Sequence, residues 1–278
     1  MIQLGNYNEL TVNRSTSVGV FLEDDDGTEI LLPNKYVPEN VKLDEKLTVF
    51  CYLDSQERPV STTLKPFIIR NSFAFLKVVE VNSIGAFLDW GLEKHLFVPY
   101  REQRVKMEAG RWYVVYCYLD EQSFRLTASS KIDKFLSNEE ISVKYNDEVE
   151  ILVSRKTELG WEVIIGHKHK GLLFFDEVFR PIAIGDTLKG YIKRIREDKK
   201  IDISLQALGS KMLDATASLI YKKLLEEDGF LPLHDKSLPE EIKRKLQLSK
   251  KAFKKGVGVL YKDRKITIQE DGIRLINN

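Results

Sequence analysis

Lysines concentrated on one predicted helix are the clearest candidates for binding chemistry in this 278-residue chain. The four lie within two turns near the C-terminal end and are Lys250, Lys251, Lys254 and Lys255. Residues three and four apart lie on one face of a helix, so Lys251, Lys254 and Lys255 cluster. Because a lysine ammonium is a flexible point charge, such a cluster binds phosphates without reading bases. The cluster predicts contact with a polyanion and argues against sequence-specific recognition of duplex DNA, although lysine on a solvated helix is also ordinary surface.

A second group of cations lies in and just after a predicted strand that runs from Leu188 to Ile195. It comprises Lys193, Arg194, Arg196, Lys199 and Lys200, interleaved with Tyr191 and Ile195. Side chains alternate along a strand, so Lys193 and Arg194 are expected on opposite faces. At most half of these charges would then share one surface.

Net charge is distributed unevenly along the chain. It is −5 for residues 1–69, 0 for 70–141, +1 for 142–208 and +5 for 209–278, within a total of +1. Polyanion binding is therefore expected toward the C-terminal end.

The sequence lacks the common catalytic and metal-binding patterns. It has no Gly-Lys-Ser/Thr phosphate loop, no His-Glu-x-x-His, no nucleophile elbow and no Cys-His set with the spacing of a catalytic or metal site. His167–Lys170 offers two histidines without a cysteine partner and indicates a basic hairpin turn, while the acidic Glu23–Gly27 lacks EF-hand spacing and indicates a turn ending in Asp-Gly. The pairs Glu139–Glu140 and Glu240–Glu241 stand at predicted helix starts, where carboxylates are expected. We predict a non-enzymatic protein without metal or cofactor.

The elements that would position these residues begin with five short strands between Phe75 and Lys131. They are rich in β-branched and aromatic residues and bounded by Gly, Pro, Asp or Ser, which is typical of a small closed barrel. Gly85–Leu88 repeats Gly19–Leu22 at a spacing of 66 positions, and two further blocks repeat at the same spacing. Three blocks in one register indicate a duplication. Cys51 and Cys117 occupy one position of the repeated strand, which predicts a core site rather than a disulfide or metal ligand.

A third copy follows at a spacing near 75. Gly160 stands for Gly85, Leu172–Phe174 stands for Leu96–Val98, and Lys200 takes the basic position that Arg125 has in the last strand, predicted from Phe124 to Ser129. In the first copy Pro59 lies near that basic position.

Beyond Leu208–Gly209 the apolar period becomes helical. The first helix is predicted from Leu213, Ala217, Ile220 and Leu224, with its end at Asp228–Gly229. Pro239 suits the first turn of a second helix, and Ser249 can cap a third. Phe230–Leu233 predicts an extended link, and the turn Glu270–Gly272 predicts a two-stranded hairpin. Three helices followed by a hairpin are the layout of a winged helix.

The residues of the second copy carry a family resemblance. Gly85–Gly91, Asp120 and Arg125–Ser129 resemble the S1-type RNA-binding OB fold; the second copy matches it well, the third moderately and the first weakly. Three such copies ahead of a small basic helical domain resemble the bacterial virulence-regulator family called CvfB. The resemblance implies a mainly β chain with an α+β C-terminal domain. Its expected domains are three S1-like OB barrels at 1–65, 66–137 and 138–208 and a winged helix at 209–278.

The resemblance also implies an RNA-binding surface on the middle strands, with aromatic rings stacking bases and cations following phosphates. Carried onto this sequence, it assigns Phe87, Asp120 and Arg125 in the second copy, with Val98 where many such domains have His. The third copy offers Phe174 at that place, with Lys193 and Lys200. A core position is the alternative for Phe87.

These observations predict a single-stranded RNA-binding protein that regulates gene expression after transcription. The alternatives are a transcription factor that binds duplex DNA through the third helix, and an interaction scaffold on the ribosome or other RNA machinery. Met1–Asn6 lacks the basic start and apolar run of a signal peptide, and no long apolar segment follows. The expected location is the cytoplasm.

Overall fold

The structure, a computed structural model, describes residues 1–206 and 209–276 and, within 209–226, side chains from Ala215 onward. Three closed five-stranded barrels precede a small helical region, so the predicted fold class is confirmed. Contacts divide the chain into two compact units, Met1–Leu136 and Ser137–Asn278. The domain boundaries predicted above stay predictions, and the one after Leu208 falls at residues outside the described part.

The three barrels share one strand order, in which the first strand pairs with the second and fourth and the third pairs in parallel with the fifth. The first barrel is built from β1 Tyr7–Ser15, β2 Gly19–Glu23, β3 Glu29–Pro33, β4 Lys46–Leu53 and β5 Pro59–Thr62. The second is built from β6 Ser72–Val81, β7 Gly85–Asp89, β8 Leu96–Pro99, β9 Trp112–Leu119 and β10 Leu126–Ser129. The third is built from β11 Glu148–Lys156, β12 Gly160–Ile165, β13 His169–Phe174, β14 Thr187–Ile195 and β15 Ile201–Ser204.

The two cysteines lie where the duplication predicts, on β4 and β9. Both side chains are completely buried, and both thiols are free. Desolvation by burial raises the pKa of Cys51 and of Cys117 to about 12. Each therefore behaves as a small apolar core residue.

One expected correspondence between copies is wrong by a single residue. Gly85 lies opposite Pro99 in the β7–β8 pair, and Gly160 lies opposite Phe174 in the β12–β13 pair. The two glycines are equivalent positions, because at each of them a Cβ would lie 2.3 Å from a backbone carbonyl oxygen of the facing strand. Phe174 therefore corresponds to Pro99, and the fully buried Leu173 corresponds to Val98. A slip of one residue exchanges the two faces of a strand, so the error matters.

The structure identifies the residue of the first copy that corresponds to Arg125, and it is the neighbour of Pro59. The backbone N–H of Asp54 donates to the carbonyl of Arg58, just as the N–H of Asp120 donates to the carbonyl of Arg125. Arg58, not Pro59, is the counterpart of Arg125. The turn is one residue longer in the second copy, where Phe124 lies in the turn at φ +54° rather than in the strand.

Phe50, Tyr52 and Val60 of the first barrel pack into the apolar core of the second, while the first barrel keeps a core of its own. Phe50 from β4 packs edge-on against Trp90, with ring centroids 5.7 Å apart, and both side chains are buried. Backbone bonds add to this contact, since the N–H of Phe67 donates to the Trp90 carbonyl and the N–H of Arg70 donates to the Gly5 carbonyl. The first barrel therefore packs against the second as part of one body.

The C-terminal region has three helices and a small sheet. Its elements are α1 Gly209–Glu226, β16 Phe230–Leu231, α2 Pro239–Leu246, α3 Lys250–Lys262, β17 Ile266–Ile268 and β18 Ile273–Leu275. Pro239 begins α2 as predicted, and the Ser249 side chain caps α3 by accepting from the N–H of Ala252 at 3.1 Å. The predicted side chain of Leu213 lies outside the described residues.

Two local expectations here differ from the structure. Phe230–Leu231 pairs with β18, so the sheet has three strands in the order β16-β18-β17 rather than two. Glu139 and Glu140 lie in a loop and begin no helix, whereas Glu240 and Glu241 do lie in the first turn of α2. Among the described helices, none has the length and apolar character needed to cross a membrane.

Candidate nucleic-acid interface

A β-bulge occurs at the same place in the first strand of every barrel. It falls between Val12 and Arg14, between Val78 and Glu80, and between Val153 and Arg155. An extra residue at a bulge re-aims the side chain that follows it. The residue after each bulge lies opposite the middle of the second strand, where the sequence predicts a base-stacking ring.

In the second barrel this row carries two aromatic rings. Phe87 on β7 lies beside Phe97 on β8, with ring centroids 5.2 Å apart, and both are half-buried. Phe87 is not among the side chains of the barrel core. The neighbouring Ile84 is 59% exposed. The outer face of β7 and β8 therefore offers flat apolar surface.

Two clefts flank these rings. One, of about 350 Å³, lies between the first two barrels and is lined by both Phe87 and Phe97. The other, of about 520 Å³, runs from Phe97 toward Asp120. Both are bounded by Ile84 and Arg125. The predicted residues Phe87, Asp120 and Arg125 are thus brought together on one surface.

The cations of this surface are held by a carboxylate from the other barrel. Glu57, in the β4–β5 turn, accepts a hydrogen bond from Nε of Arg125 at 2.7 Å and one from Nζ of Lys94 at 3.1 Å. Arg125 is still 57% exposed at its side chain. A phosphate that binds Arg125 must therefore compete with Glu57.

Asp120 orders the turn that carries Arg125. Its carboxylate accepts from the hydroxyl of Ser123 at 2.6 Å and from the Ser123 N–H at 3.1 Å. These bonds, led by the hydroxyl, lower the pKa of Asp120, and Arg101 at 3.7 Å acts in the same direction. Asp120 positions neighbouring groups in this structure, and its contact with RNA stays a prediction.

In the first barrel the equivalent ring is covered. The guanidinium carbon of Arg14, the residue after the bulge, lies 3.8 Å from the centroid of Phe21. Glu29 fixes it by accepting from Nε at 2.9 Å and from Nη2 at 2.7 Å. A hydrogen bond from this guanidinium lowers the pKa of Glu29. The first barrel has no open ring at this position.

The third barrel has an acid where the other two have phenylalanine. Glu162 lies opposite Arg155 and Leu172, and it forms ion pairs with Arg155 and with Lys170. Phe174 is half-buried at the end of β13, and the guanidinium of Arg196 lies 5.6 Å from its centroid. Arg196 in turn pairs with Asp202 at 2.8 Å.

The predicted cations of the third barrel are also paired. Lys193 binds Glu177, whose hydrogen bond raises the pKa of the lysine, and Lys200 binds Asp198 at 2.8 Å. A bulge between Ile192 and Arg194 interrupts the strand alternation on which the earlier placement of Lys193 depended. Both Lys193 and Arg194 are exposed.

Within Ser137–Asn278 a further cleft of about 350 Å³ lies between the third barrel and the helices. Its barrel side includes Tyr191 and Lys189, and its helical side includes Leu219 and Leu246. Glu148 accepts from both barrel groups, from the Lys189 ammonium at 2.7 Å and from the Tyr191 hydroxyl at 3.1 Å.

The lysines of α3 differ from the barrel cations described above in their ion pairing. Lys251, Lys254 and Lys255 are exposed, while Phe253 and Val257 on the other side of the helix are buried in the core. Within residues 1–206 and 215–276, no carboxylate forms an ion pair with these three lysines or with Lys250, although pairs are found for most cations of the third barrel. The predicted cluster is therefore a surface of free positive charge.

Sequence reasoning missed Phe97 and Glu57. Phe97 lies between the buried Leu96 and Val98, so strand alternation alone could have placed it on the outer face. Glu57 gave no signal, because its partner Arg125 is 68 positions away and in another barrel.

Comparison with known families gives two matches. Residues 4–64 match the S1 domain model and residues 218–275 match the CvfB-like winged helix domain model. The first match falls on the copy predicted to resemble the S1 fold most weakly.

Other proteins resemble this chain over most of its length. The chain is similar to the uncharacterized protein YitL of Bacillus subtilis, with 28% identity over 96% of this chain and 92% of that protein. It is 26% identical to conserved virulence factor B of Staphylococcus epidermidis over 91% of this chain and 88% of that protein. A solved multidomain protein with nucleic acid binding domains from Streptococcus pneumoniae aligns over 98% of both chains, with 24% identity and a TM-score of 0.42.

Proposed function

We propose that this chain, which carries the S1 domain and the winged helix domain of the CvfB-like proteins, binds single-stranded RNA and regulates gene expression. The observation that carries the proposal is the open pair of rings on the second barrel, Phe87 and Phe97, between two clefts and beside Arg125. Its relatives include proteins named as virulence factors, which supports a regulatory role.

The open rings favour unpaired nucleotides over a duplex. A base can stack on an aromatic side chain only when its face is free, and in a double helix both faces are covered by neighbouring base pairs. Stacking on each ring contributes about 1–3 kcal/mol per base. The second barrel therefore supplies contacts that a duplex cannot use.

The lysines of α3 supply the phosphate contacts in this proposal. The exposed positions of the helix are Lys251, Lys254, Lys255, Gly258, Tyr261 and Lys262. Arginine, asparagine and glutamine, the side chains that bind base edges in a bidentate manner, are absent from the helix. This composition weighs against the alternative of a sequence-specific DNA-binding factor.

In this proposal the protein binds RNA in the cytoplasm, catalyses no reaction and requires no cofactor. The matched domains are an S1 domain and a winged helix domain, both of which are binding modules. The second candidate is an interaction scaffold on the ribosome or other RNA machinery, in which the barrels mainly contact protein.

The test is a titration of the full chain with a labelled single-stranded RNA of mixed sequence and with a duplex DNA of equal length, each at several salt concentrations. We expect tighter binding of the RNA and a linear fall of log K with log salt concentration, because cations displace counterions from phosphates. Equal or tighter binding of the duplex would favour the DNA-binding alternative. Binding of neither would contradict the proposal.

A further inference from the structure

In the first barrel an arginine side chain stacks on the aromatic ring that corresponds to Phe87. The planar guanidinium of Arg14 lies 3.8 Å from the centroid of Phe21, and two of its N–H groups are accepted by Glu29. A flat group with hydrogen-bond donors at its edge is thus stacked on a ring and held by a carboxylate. A nucleobase with an amino group has the same character.

The second barrel has the same backbone frame with different side chains. Phe87 corresponds to Phe21, and Glu80, the residue after the bulge, takes the place of Arg14. Leu96 pairs with Leu88 in the second barrel as Ile30 pairs with Leu22 in the first, so Leu96 corresponds to Ile30. The residue before each of them therefore also corresponds, which matches His95 with Glu29. In the first barrel the residue after the bulge, Arg14, covers the ring of Phe21. In the second barrel the residue after the bulge, Glu80, is a hydrogen-bond acceptor and does not cover the ring of Phe87.

The Glu80 carboxylate has capacity for a further donor. Its side chain is exposed, and the amide of Asn82 donates to its Oε1 over a long distance of 3.4 Å. A carboxylate can accept several hydrogen bonds, so this one weak contact leaves room for a ligand amino group.

Glu80 and Phe87 line the same cleft, whose volume is about 350 Å³, and His95 lines it with them.

We propose, on the premise that the chain binds single-stranded RNA, that this cleft is a subsite for one nucleobase that bears an exocyclic amino group. The base stacks on Phe87, the carboxylate of Glu80 accepts from the amino group, and His95 lies in the wall of the same cleft. Cytosine, adenine and guanine meet this requirement.

Uracil does not meet it. Its polar edge carries carbonyl oxygens where the other bases carry an amino group, and a carbonyl oxygen placed against a carboxylate is repelled. The one donor on this edge of uracil, N3–H, lies between two carbonyl oxygens, so a carboxylate that accepts from it is repelled by both oxygens. The preference is therefore set by Glu80, and the stacking on Phe87 is common to all bases.

The experiment measures the affinities of oligo-cytidine, oligo-adenosine and oligo-uridine of one length for the wild-type chain, the Glu80→Gln variant and the Glu93→Gln variant. We expect the wild type to bind oligo-cytidine and oligo-adenosine about tenfold more tightly than oligo-uridine, as one good base-edge contact provides. Glu80→Gln should bring this ratio close to one, because an amide offers a donor as well as an acceptor. Glu93→Gln is the matched control. It removes a carboxylate that lines the same cleft but forms an ion pair with Lys35, and it should leave the ratio unchanged.

A second measurement needs no assumption about the fold of a variant. The chain has four histidines, so the imidazole resonances of the wild type can be resolved by NMR, with His95→Gln used only to assign the His95 signal. Cytidine monophosphate should shift the His95 signal, whereas uridine monophosphate at equal concentration should shift it much less.

The outcomes separate this inference from the proposed function. If the oligomers bind with equal affinity, or if Glu80→Gln leaves the ratio intact, or if both nucleotides shift the His95 signal equally, the subsite is wrong while RNA binding stands. If no oligomer binds, the proposed function fails and the subsite fails with it.

Discussion

The outer face of the second barrel and the exposed face of α3 are opposite kinds of binding surface. The barrel presents Phe87 and Phe97 with cations that an acid already holds, since Glu57 bridges Lys94 and Arg125. The helix presents lysines that pair with no carboxylate in the described part of the chain, and its exposed ring, Tyr261, lies beyond the cluster. One surface is built for stacking and the other for charge.

The difference shows how this chain would divide the two contributions to RNA affinity. Stacking depends on the flat faces of bases and is insensitive to salt, whereas the attraction between cations and phosphates weakens as salt rises. Changes to each surface should therefore alter different observables, which makes the comparison open to direct test.

The largest expected effect is on the rings. Replacing both Phe87 and Phe97 by alanine removes two stacking platforms, each contributing about 1–3 kcal/mol, so affinity for single-stranded RNA should fall about 30-fold or more. The salt dependence should stay the same, because every cation that neutralises a phosphate is retained. Fluorescence anisotropy titrations at several salt concentrations measure both quantities.

Leucine at the same two positions is the matched control, because it keeps apolar bulk without a flat ring. The leucine variant should lose most of the affinity while keeping the thermal unfolding midpoint. An affinity that survives in the leucine variant would show that the rings serve packing and not stacking.

An intermediate effect is expected on α3. Changing Lys250, Lys251, Lys254 and Lys255 to glutamine should reduce the slope of log K against log salt by about 0.7 for each phosphate of a single strand that is no longer neutralised. Affinity near physiological salt should fall roughly tenfold, while the preference among bases should be unaltered.

Arginine at all four positions is the control for charge on α3. That variant should keep the wild-type slope, since guanidinium groups neutralise phosphates equally well. An unchanged slope in the glutamine variant would mean that the winged helix binds something other than RNA.

The smallest effect is expected from the acid that joins the first barrel to the second. Glu57→Gln removes the carboxylate that holds Lys94 and Arg125, so both cations become available to phosphate and affinity should rise severalfold. The salt slope should become steeper. Glu108→Gln is the control, because Glu108 pairs with Arg111 and lines neither cleft. Weaker binding by Glu57→Gln would show that Glu57 positions Arg125 rather than competing for it.

Much of the architecture followed from local patterns. Short alternating strands between turn residues predicted the barrels, and the repeated blocks indicated the duplication with its two buried cysteines. The change to a helical period, together with the helix-start signals of Pro239 and Ser249, predicted the winged helix and its exposed lysines.

Local pattern could not give the alignment of the copies to the residue. The assignment of Phe174 to the place of Val98 failed by one position. Turn length and bulges shift the count of residues without changing the apolar pattern, so only the paired strands reveal the register.

The sequence by itself determined the number of barrels, the winged helix and the residue types available for stacking and for charge, because these depend on periodicity and turn chemistry within short segments. Only the tertiary structure decided which rings are open and which cations are free. Arg14 covers Phe21, while Glu80 leaves Phe87 uncovered, and Glu57 reaches Arg125 from another barrel. Such pairings join residues far apart in the chain, and they exist only once closed barrels have fixed the register and packed against each other.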